Sequence, residues 1–105
     1  MVPLSTPHAQ SPAAGICAAP ESDEVEMTIL PGIPDPRCLE VRPDQRLTIR
    51  NRSGQPVDVR LGPFSAQLEN GQDFMIDTPL GEYLAPGVHA VGVQPCCGGE
   101  IVLPP

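Results

Sequence analysis

Residues 39–51 decide the fold class, and they read Leu39-Glu40-Val41-Arg42-Pro43-Asp44-Gln45-Arg46-Leu47-Thr48-Ile49-Arg50-Asn51. Apolar and polar residues alternate on both sides of the Pro43-Asp44-Gln45 segment, whose residue types favour a tight turn. Such alternation predicts β-strands with one buried face. The stretch therefore predicts two strands joined by a turn, and the inward positions are Leu39, Val41, Leu47 and Ile49.

The same alternation extends outward from this stretch in both directions. Its inward positions on the two flanking segments are Val25, Met27, Ile29, Val57, Val59 and Leu61. Shorter apolar runs follow at residues 74–76, 88–93 and 101–103, with turn residues between them. No helical periodicity extends beyond about two turns. Strand signals recur about every 8–12 residues, so the pattern predicts an all-β chain with the spacing of a β-sandwich or a β-barrel.

Length and composition indicate one small domain whose stability requires covalent cross-links. The chain has 105 residues with one Tyr, two Phe and no Trp, so its core must be aliphatic and its stability modest. Four cysteines are the obvious source of additional stability. Residues 1–22, rich in Pro, Ala and Ser, are predicted to be a flexible N-terminal arm, and residues 23–105 the sandwich domain.

Charge and hydropathy exclude several classes of partner. The formal net charge of −7 disfavours nucleic acids and anionic membranes, because both would repel the chain. No apolar run is long enough to span a membrane. The first residues lack the charged and hydrophobic regions of a signal peptide. We therefore expect a monomer outside the cytoplasm (periplasmic, secreted or anchored to the envelope), with any export signal already removed.

Four segments carry a resemblance to a known family. Residues 39–51 form a strand, a turn and a strand ending in Asn; residues 54–59 read Gly-Gln-Pro-Val-Asp-Val; residues 85–96 read Ala-Pro-Gly-Val-His-Ala-Val-Gly-Val-Gln-Pro-Cys; and residues 99–103 form a closing strand. In this order they resemble the cupredoxins, the plastocyanin-like copper proteins. The resemblance covers roughly residues 24–103 and implies a cupredoxin-like fold, a Greek-key β-sandwich of about seven or eight strands.

The ligand positions of that family are not kept in this sequence. A blue-copper site uses two imidazoles and a thiolate with a weak axial ligand. In this sequence Val57 stands where the resemblance places the first His ligand. Val93 stands at the thiolate position, and Cys96 stands at the position of the second His. The resemblance therefore implies the scaffold of a cupredoxin without its copper, and no cofactor or metal is predicted.

The four cysteines Cys17, Cys38, Cys96 and Cys97 are candidates for two structural disulfides. The resemblance places Cys38 at the same end of the sandwich as the Cys96-Cys97 bend, which implies a bridge between Cys38 and one of that pair. Cys17 would take the remaining thiol and tie down the arm. A bond between Cys96 and Cys97 is disfavoured, because a ring between adjacent residues is strained.

Other functions of the same cysteines remain open. Cys96 and Cys97 could bind a soft ion such as Cu(I) or Hg(II), with Cys38 as a third ligand, or they could form a redox-active pair. Cys17 has a rival interpretation as a lipid-bearing cysteine. Gly98 and Gly99 are more simply explained by a tight bend. His89 is interpreted as a packed or edge histidine.

No catalytic centre is apparent in the sequence, so the chain is not expected to be an enzyme. A Gly-x-Ser-x-Gly nucleophile elbow and an Asp-x-Asp-x-Asp-Gly calcium loop are both missing. The leading hypothesis is a non-catalytic binding or structural module of the cell envelope. Its protein partner is unknown, and the candidates for a contact surface are the loops at residues 62–67 and 75–83, which carry the aromatic residues most prone to exposure.

Overall fold

The computed structural model describes residues 16–105, and most of the predicted arm, residues 1–15, lies outside this part. Nine strands follow one another along residues 16–105. Their bounds are Glu24–Ile29 (β1), Pro34–Asp35 (β2), Cys38–Glu40 (β3), Arg46–Asn51 (β4), Val57–Leu61 (β5), Phe64–Leu68 (β6), Asp73–Ile76 (β7), Gly87–Gln94 (β8) and Gly99–Leu103 (β9). The predicted all-β class is confirmed, with one or two more short strands than expected.

The strands form two sheets that pack as a sandwich. One sheet has the order β2-β1-β4-β7 and the other the order β3-β9-β8-β5-β6. Two pairings are parallel, β1 with β4 and β3 with β9. Strand β8 lies between β9 and β5, with Gln94 opposite Asp58. The bend between β8 and β9 therefore lies at the end of the sandwich where β5 begins.

Aliphatic side chains from both sheets fill the interior, as the sequence predicts. Burial alternates along β1 and β5, so Val25, Val57 and the inward residues that follow them are closed off from solvent. The largest fully buried apolar side chains are Met27, Ile29, Leu39, Leu47, Ile49, Leu61, Leu80 and Ile101. Each such burial contributes roughly 1.5–3 kcal/mol. A short 3-10 helix, Leu80–Glu82, supplies Leu80, and no helix within residues 16–105 is long and apolar enough to cross a membrane.

The last part of the predicted arm is attached to the sandwich, which corrects the expectation for residues 17–22. Ala18 makes a parallel bridge with Leu39 in the edge strand β3. The amide of Ala18 donates to the carbonyl oxygen of Cys38 at 3.0 Å, and the amide of Glu40 donates to the carbonyl oxygen of Ala18 at 2.8 Å. The arm is therefore anchored before the predicted domain boundary at residue 23.

Gln45 holds the remainder of this segment from inside the protein. Its side chain is fully buried. The Nε2 group donates to the carbonyl oxygens of Pro20 at 2.9 Å and Ser22 at 2.7 Å, while Oε1 accepts the amide of Arg42 at 2.7 Å. A residue predicted only as part of a turn thus connects the turn before β4 to the segment before β1.

Candidate functional site

The bend between β8 and β9 carries the candidate residues Cys96 and Cys97. Strand β8 runs antiparallel to β9, with Val91 opposite Gly99, and residues 95–98 connect them. Cys96 is exposed and Cys97 is half-buried. The structure joins the two by a disulfide, which corrects the expectation that adjacent cysteines would not bond; Cys38, the expected partner, is already bonded to Cys17. A sulfur pair is therefore presented at one end of the sandwich, within reach of molecules in solution.

Glycine is required beside this pair because the chain passes close to its neighbours. A Cβ atom on Gly99 would lie 2.7 Å from the carbonyl oxygen of Arg37 and 3.0 Å from the Sδ atom of Met27. On Gly98 it would overlap the carbonyl oxygen of Val91. The interpretation of Gly98-Gly99 as residues that permit a close bend agrees with this geometry.

The second disulfide joins Cys17 to Cys38, and it corrects the expected pairing. Cys38 was expected to bond to Cys96 or Cys97, but the structure bonds it to Cys17, with 4.6 Å between their Cα atoms. The physical reason is the parallel bridge between Ala18 and Leu39, which places Cys17 directly beside Cys38 at the sheet edge. The prediction that a cysteine ties down the arm is confirmed, with a different partner.

The predicted proximity of Cys38 to the bend is correct, although the bond is not made. Cys38 lies opposite Glu100 at the start of β9, and the amide of Glu100 donates to the carbonyl oxygen of Arg37 at 2.8 Å. Cys38 is only 1% exposed and its sulfur is taken by Cys17. A site with Cys38 as the third thiolate beside Cys96 and Cys97 is therefore absent from the structure.

The two valines at the positions that resemble copper ligands lie in the interior of neighbouring strands. Val57 begins β5 and is 2% exposed, and Val93 in β8 is 6% exposed. Val93 lies opposite Val59, the next inward residue after Val57. Aliphatic side chains carry no atom that can coordinate a metal ion, so this part of the interior offers packing and no ligands.

The other side chains that could coordinate a metal ion do not form a cluster in the part of the chain that the structure describes. Within residues 16–105, no three His, Cys, Asp or Glu side chains are grouped so that they could hold a metal ion. His89 lies in β8, and its Nε2 atom is 2.6 Å from the carbonyl oxygen of Ala85. His89 therefore makes a local contact with the main chain, four residues before it in sequence.

A shallow cavity opens next to the cysteine pair. It has a volume of about 290 Å³ and is lined by Pro56, Val57, Asp58, Gln67, Gln94 and Pro95. In the register of the sheet, Asp58 lies opposite Gln67 on one side and Gln94 on the other. The cavity floor is therefore a row of one carboxylate between two carboxamides, and Pro95 connects this floor to Cys96.

Ion pairs stabilise the outer face of the other sheet. Arg50 contacts Asp73 at 2.5 Å and Glu26 at 2.6 Å, and Arg52 contacts Asp73 at 3.1 Å. The hydrogen bond from Arg50 is the main reason that the pKa of Glu26 is lowered. Glu26, Arg50 and Asp73 lie on β1, β4 and β7, and Arg52 follows β4, so the arginines of this outer face are paired with carboxylates.

The two loops proposed as a contact surface meet each other. Phe64 and Tyr83 form an edge-to-face pair with 4.8 Å between ring centroids, and both pack against the core. The aromatic rings are therefore partly withdrawn from solvent, contrary to the expectation that made these loops candidates. Met75 is the exposed apolar residue of this region, at 67%. Tyr83 also has a buried hydroxyl group without a hydrogen-bond partner in residues 16–105.

Comparison with known proteins gives a likeness of structure without a likeness of sequence. Neither a protein-family model nor a curated protein sequence matches this chain. A purple cupredoxin from Nitrosopumilus maritimus is similar in structure, with a TM-score of 0.60 and 18% identity, over 74% of this chain and 97% of that one. A reduced amicyanin variant has a TM-score of 0.60 and 16% identity, over 79% of this chain and 84% of the other.

A copper-containing nitrite reductase from Thermus scotoductus is similar across 97% of this chain but only 27% of its own length. Its TM-score is 0.60 and its identity 21%. Identities at this level establish the fold alone. The cupredoxin-like β-sandwich implied by the sequence is confirmed, and the chemistry of the chain has to be argued from its own residues.

Proposed function

We propose, taking the cupredoxin-like fold as the premise, that this chain is a non-catalytic binding or structural module of the cell envelope without a blue-copper centre. One observation carries the proposal. Val57 and Val93 are buried on adjacent strands at the positions that resemble copper ligands, and their side chains supply packing in place of donor atoms. A type of site that needs imidazole and thiolate ligands has neither of them there.

The disulfide between Cys17 and Cys38 supports a location outside the cytoplasm. Disulfides persist in oxidising compartments and are rare where glutathione and thioredoxin keep thiols reduced. Cys38 is only 1% exposed and Cys17 is half-buried, so neither residue of the bond is exposed to reductants. Fractionation of the producing cells, with alkylation of free thiols before lysis, tests the location. Recovery with cytoplasmic markers and alkylated Cys38 would contradict it.

Copper titration tests the absence of the blue-copper centre. We expect no intense visible thiolate-to-Cu(II) band when the protein is titrated with Cu(II), either as purified or after reduction and removal of the reductant. An amicyanin sample in the same buffer serves as positive control for the band. An intense band in this chain would overturn the proposal.

A second candidate function is the binding of a soft metal ion by reduced Cys96 and Cys97. The exposure of Cys96 favours it, and the bond between Cys17 and Cys38 limits the site to two thiolates. Hg(II) titration of protein in which the Cys96–Cys97 bond is reduced and the Cys17–Cys38 bond is intact should then saturate at one ion per chain, with a thiolate charge-transfer band. The variant Cys96→Ser should lose that band, and its retention would exclude this pair.

A further inference from the structure

The two disulfides of this domain differ in their accessibility to another thiol. In one, Cys38 is 1% exposed and its partner Cys17 is half-buried next to the bridge at Ala18, so neither residue is exposed. In the other, Cys96 is exposed at the tip of a bend while Cys97 is half-buried. Because thiol–disulfide exchange requires a thiolate to reach one sulfur atom, access selects both the bond and the sulfur that react.

We infer that the Cys96–Cys97 bond is a thiol-exchange site whose substrate class is a thiol carrying an ammonium group, with Cys96 as the residue that forms the adduct. The incoming thiolate attacks Sγ of Cys96 and forms a new sulfur–sulfur bond. The bond to Cys97 breaks, and Cys97 leaves as a thiolate that takes a proton from water. One disulfide replaces another, so no external oxidant or reductant is needed for this step.

The cavity beside Cys96 supplies the preference for an ammonium group. Asp58 lies on its floor between Gln67 and Gln94, and Pro95 joins that floor to Cys96. Among the ion pairs formed within residues 16–105, none involves Asp58, so its carboxylate is available. A carboxylate flanked by two carboxamide side chains accepts hydrogen bonds from an ammonium group, and the net charge of −7 attracts cations to the protein.

Mapping the adduct tests the position of the exchange. The oxidised protein is treated with cysteamine, quenched with acid, alkylated and analysed by peptide mass spectrometry. We expect one cysteamine on Cys96, an alkylated Cys97 and an intact bond between Cys17 and Cys38. An adduct on Cys97 as the main product, or reaction of Cys17 and Cys38 at a comparable rate, would overturn the inference.

Single-cysteine variants separate attack from rearrangement after attack. Cys97→Ser keeps Cys96 as a free thiol, and Cys96→Ser keeps Cys97. With cystamine, the disulfide of cysteamine, Cys97→Ser should form the mixed disulfide several times faster than Cys96→Ser. Far-ultraviolet circular dichroism of both variants checks that the sandwich is intact. Equal rates in two folded variants would refute the claim that the greater exposure of Cys96 makes it the more reactive cysteine.

The role of Asp58 is tested with two thiols of opposite charge, cysteamine and 3-mercaptopropionate. With rates expressed per thiolate, cysteamine should react faster with the unmodified protein, and Asp58→Asn should reduce that advantage by roughly fivefold at low salt. Glu82→Gln is the matched control, because it removes the same charge at the opposite end of the sandwich. An equal effect of both variants would indicate net charge alone and would refute the cavity as the recognition element. This inference does not depend on the copper-free module proposed above. A visible copper band would contradict that proposal alone, and a failed thiol exchange would contradict this inference alone.

Discussion

The side-chain Nε2 of Gln45 donates a hydrogen bond to the carbonyl oxygen of Ser22 at 2.7 Å, across 23 residues of sequence. The same group reaches the carbonyl oxygen of Pro20 at 2.9 Å. Buried polar side chains are tolerated when their hydrogen bonds are satisfied, and this one satisfies main-chain groups of two distant segments. The strand pairing of β1 with β4 is thereby extended before the first residue of β1.

Replacement of Gln45 by Leu should destabilise the protein by about 2–4 kcal/mol, because two carbonyl groups and one amide lose their partner. Urea denaturation followed by far-ultraviolet circular dichroism measures the change in the free energy of unfolding. Gln55→Leu is the matched control, since the Gln55 side chain is exposed and should tolerate the change within about 0.5 kcal/mol. Equal stabilities of the two variants would show that the hydrogen bonds of Gln45 contribute nothing.

Removal of the two disulfides should have unequal effects on stability. Cys17 and Cys38 are separated by 21 residues, and a loop of that size is worth about 3 kcal/mol in the chain-entropy model. The double variant Cys17→Ala/Cys38→Ala should lose about that much free energy of unfolding. The Cys96–Cys97 bond joins adjacent residues and closes no loop of comparable size. The double variant Cys96→Ala/Cys97→Ala should therefore lose far less free energy of unfolding. A larger loss for Cys96→Ala/Cys97→Ala than for Cys17→Ala/Cys38→Ala would contradict the loop-entropy explanation.

A count of free thiols accompanies that comparison. Alkylation of the natively purified protein under denaturing, non-reducing conditions should add no label, because all four cysteines are paired. Intact mass spectrometry should show a deficit of four hydrogens relative to the reduced chain. Two labelled cysteines mapped to Cys96 and Cys97 would leave the Cys17–Cys38 staple in place and would favour the soft-metal function.

Gly81→Ala should be strongly destabilising, although glycine in a short helix is usually replaceable. A Cβ atom at this position would lie 2.9 Å from Cα of Pro43 and closer still to its Cβ, and the amide of Gly81 is hydrogen-bonded to the carbonyl oxygen of Pro43 at 2.9 Å. We expect a loss of about 1–3 kcal/mol from overpacking. Gly92→Ala is the control, because its nearest neighbour would be Cβ of Arg60 at 3.8 Å. A loss as large for Gly92 would refute this explanation.

Tyr83 should titrate late and reduce stability when it does. Burial raises the pKa of Tyr83 to about 12. Since the folded-state pKa lies above the unfolded value of about 10, folding favours the neutral phenol. The stabilising contribution is therefore complete below pH 10 and is lost as the pH rises from 10 toward 12. As the only tyrosine in a chain without tryptophan, Tyr83 can be followed by tyrosinate absorbance.

Chemical denaturation at several values of pH completes this test. The free energy of unfolding should be constant with respect to Tyr83 below pH 10 and should fall above it. The variant Tyr83→Phe should remove this part of the alkaline decline while leaving the edge-to-face contact with Phe64 in place. An absorbance midpoint near 10 in the folded protein would contradict the burial of the hydroxyl group.

The sandwich could be predicted from sequence because its strands are half-buried. Val25, Met27 and Ile29 alternate with polar residues since one face of β1 contacts the core and the other contacts solvent. The alternation of apolar and polar residues does not predict which side chains of neighbouring strands cover the outer face of the sheet. Thr48 is outward-facing yet only 7% exposed, because Glu26 and Met75 flank it in the register of the sheet.

The pairing of the cysteines could not be predicted for a related reason. The sequence around Cys17 has no strand pattern, since a single bridge at Ala18 is enough to place it beside Cys38. The resemblance to cupredoxins placed Cys38 near the β8–β9 bend correctly, but proximity at one end of a sandwich does not decide which sulfur atoms meet. The cavity at Asp58 was also missed, because it depends on the register of β5 with β6 and β8.

The hydrogen bonds of Ala18 also have a consequence for how molecules of this protein meet each other. An edge strand with unpaired amides and carbonyls is a template onto which a strand of another molecule can add. On the outer side of β3, the carbonyl of Cys38 and the amide of Glu40 are already engaged by Ala18. The Cys17–Cys38 bond keeps that cover in place. The covalent link that stabilises the fold thus also covers an edge strand, and reduction of this bond should promote self-association through β3.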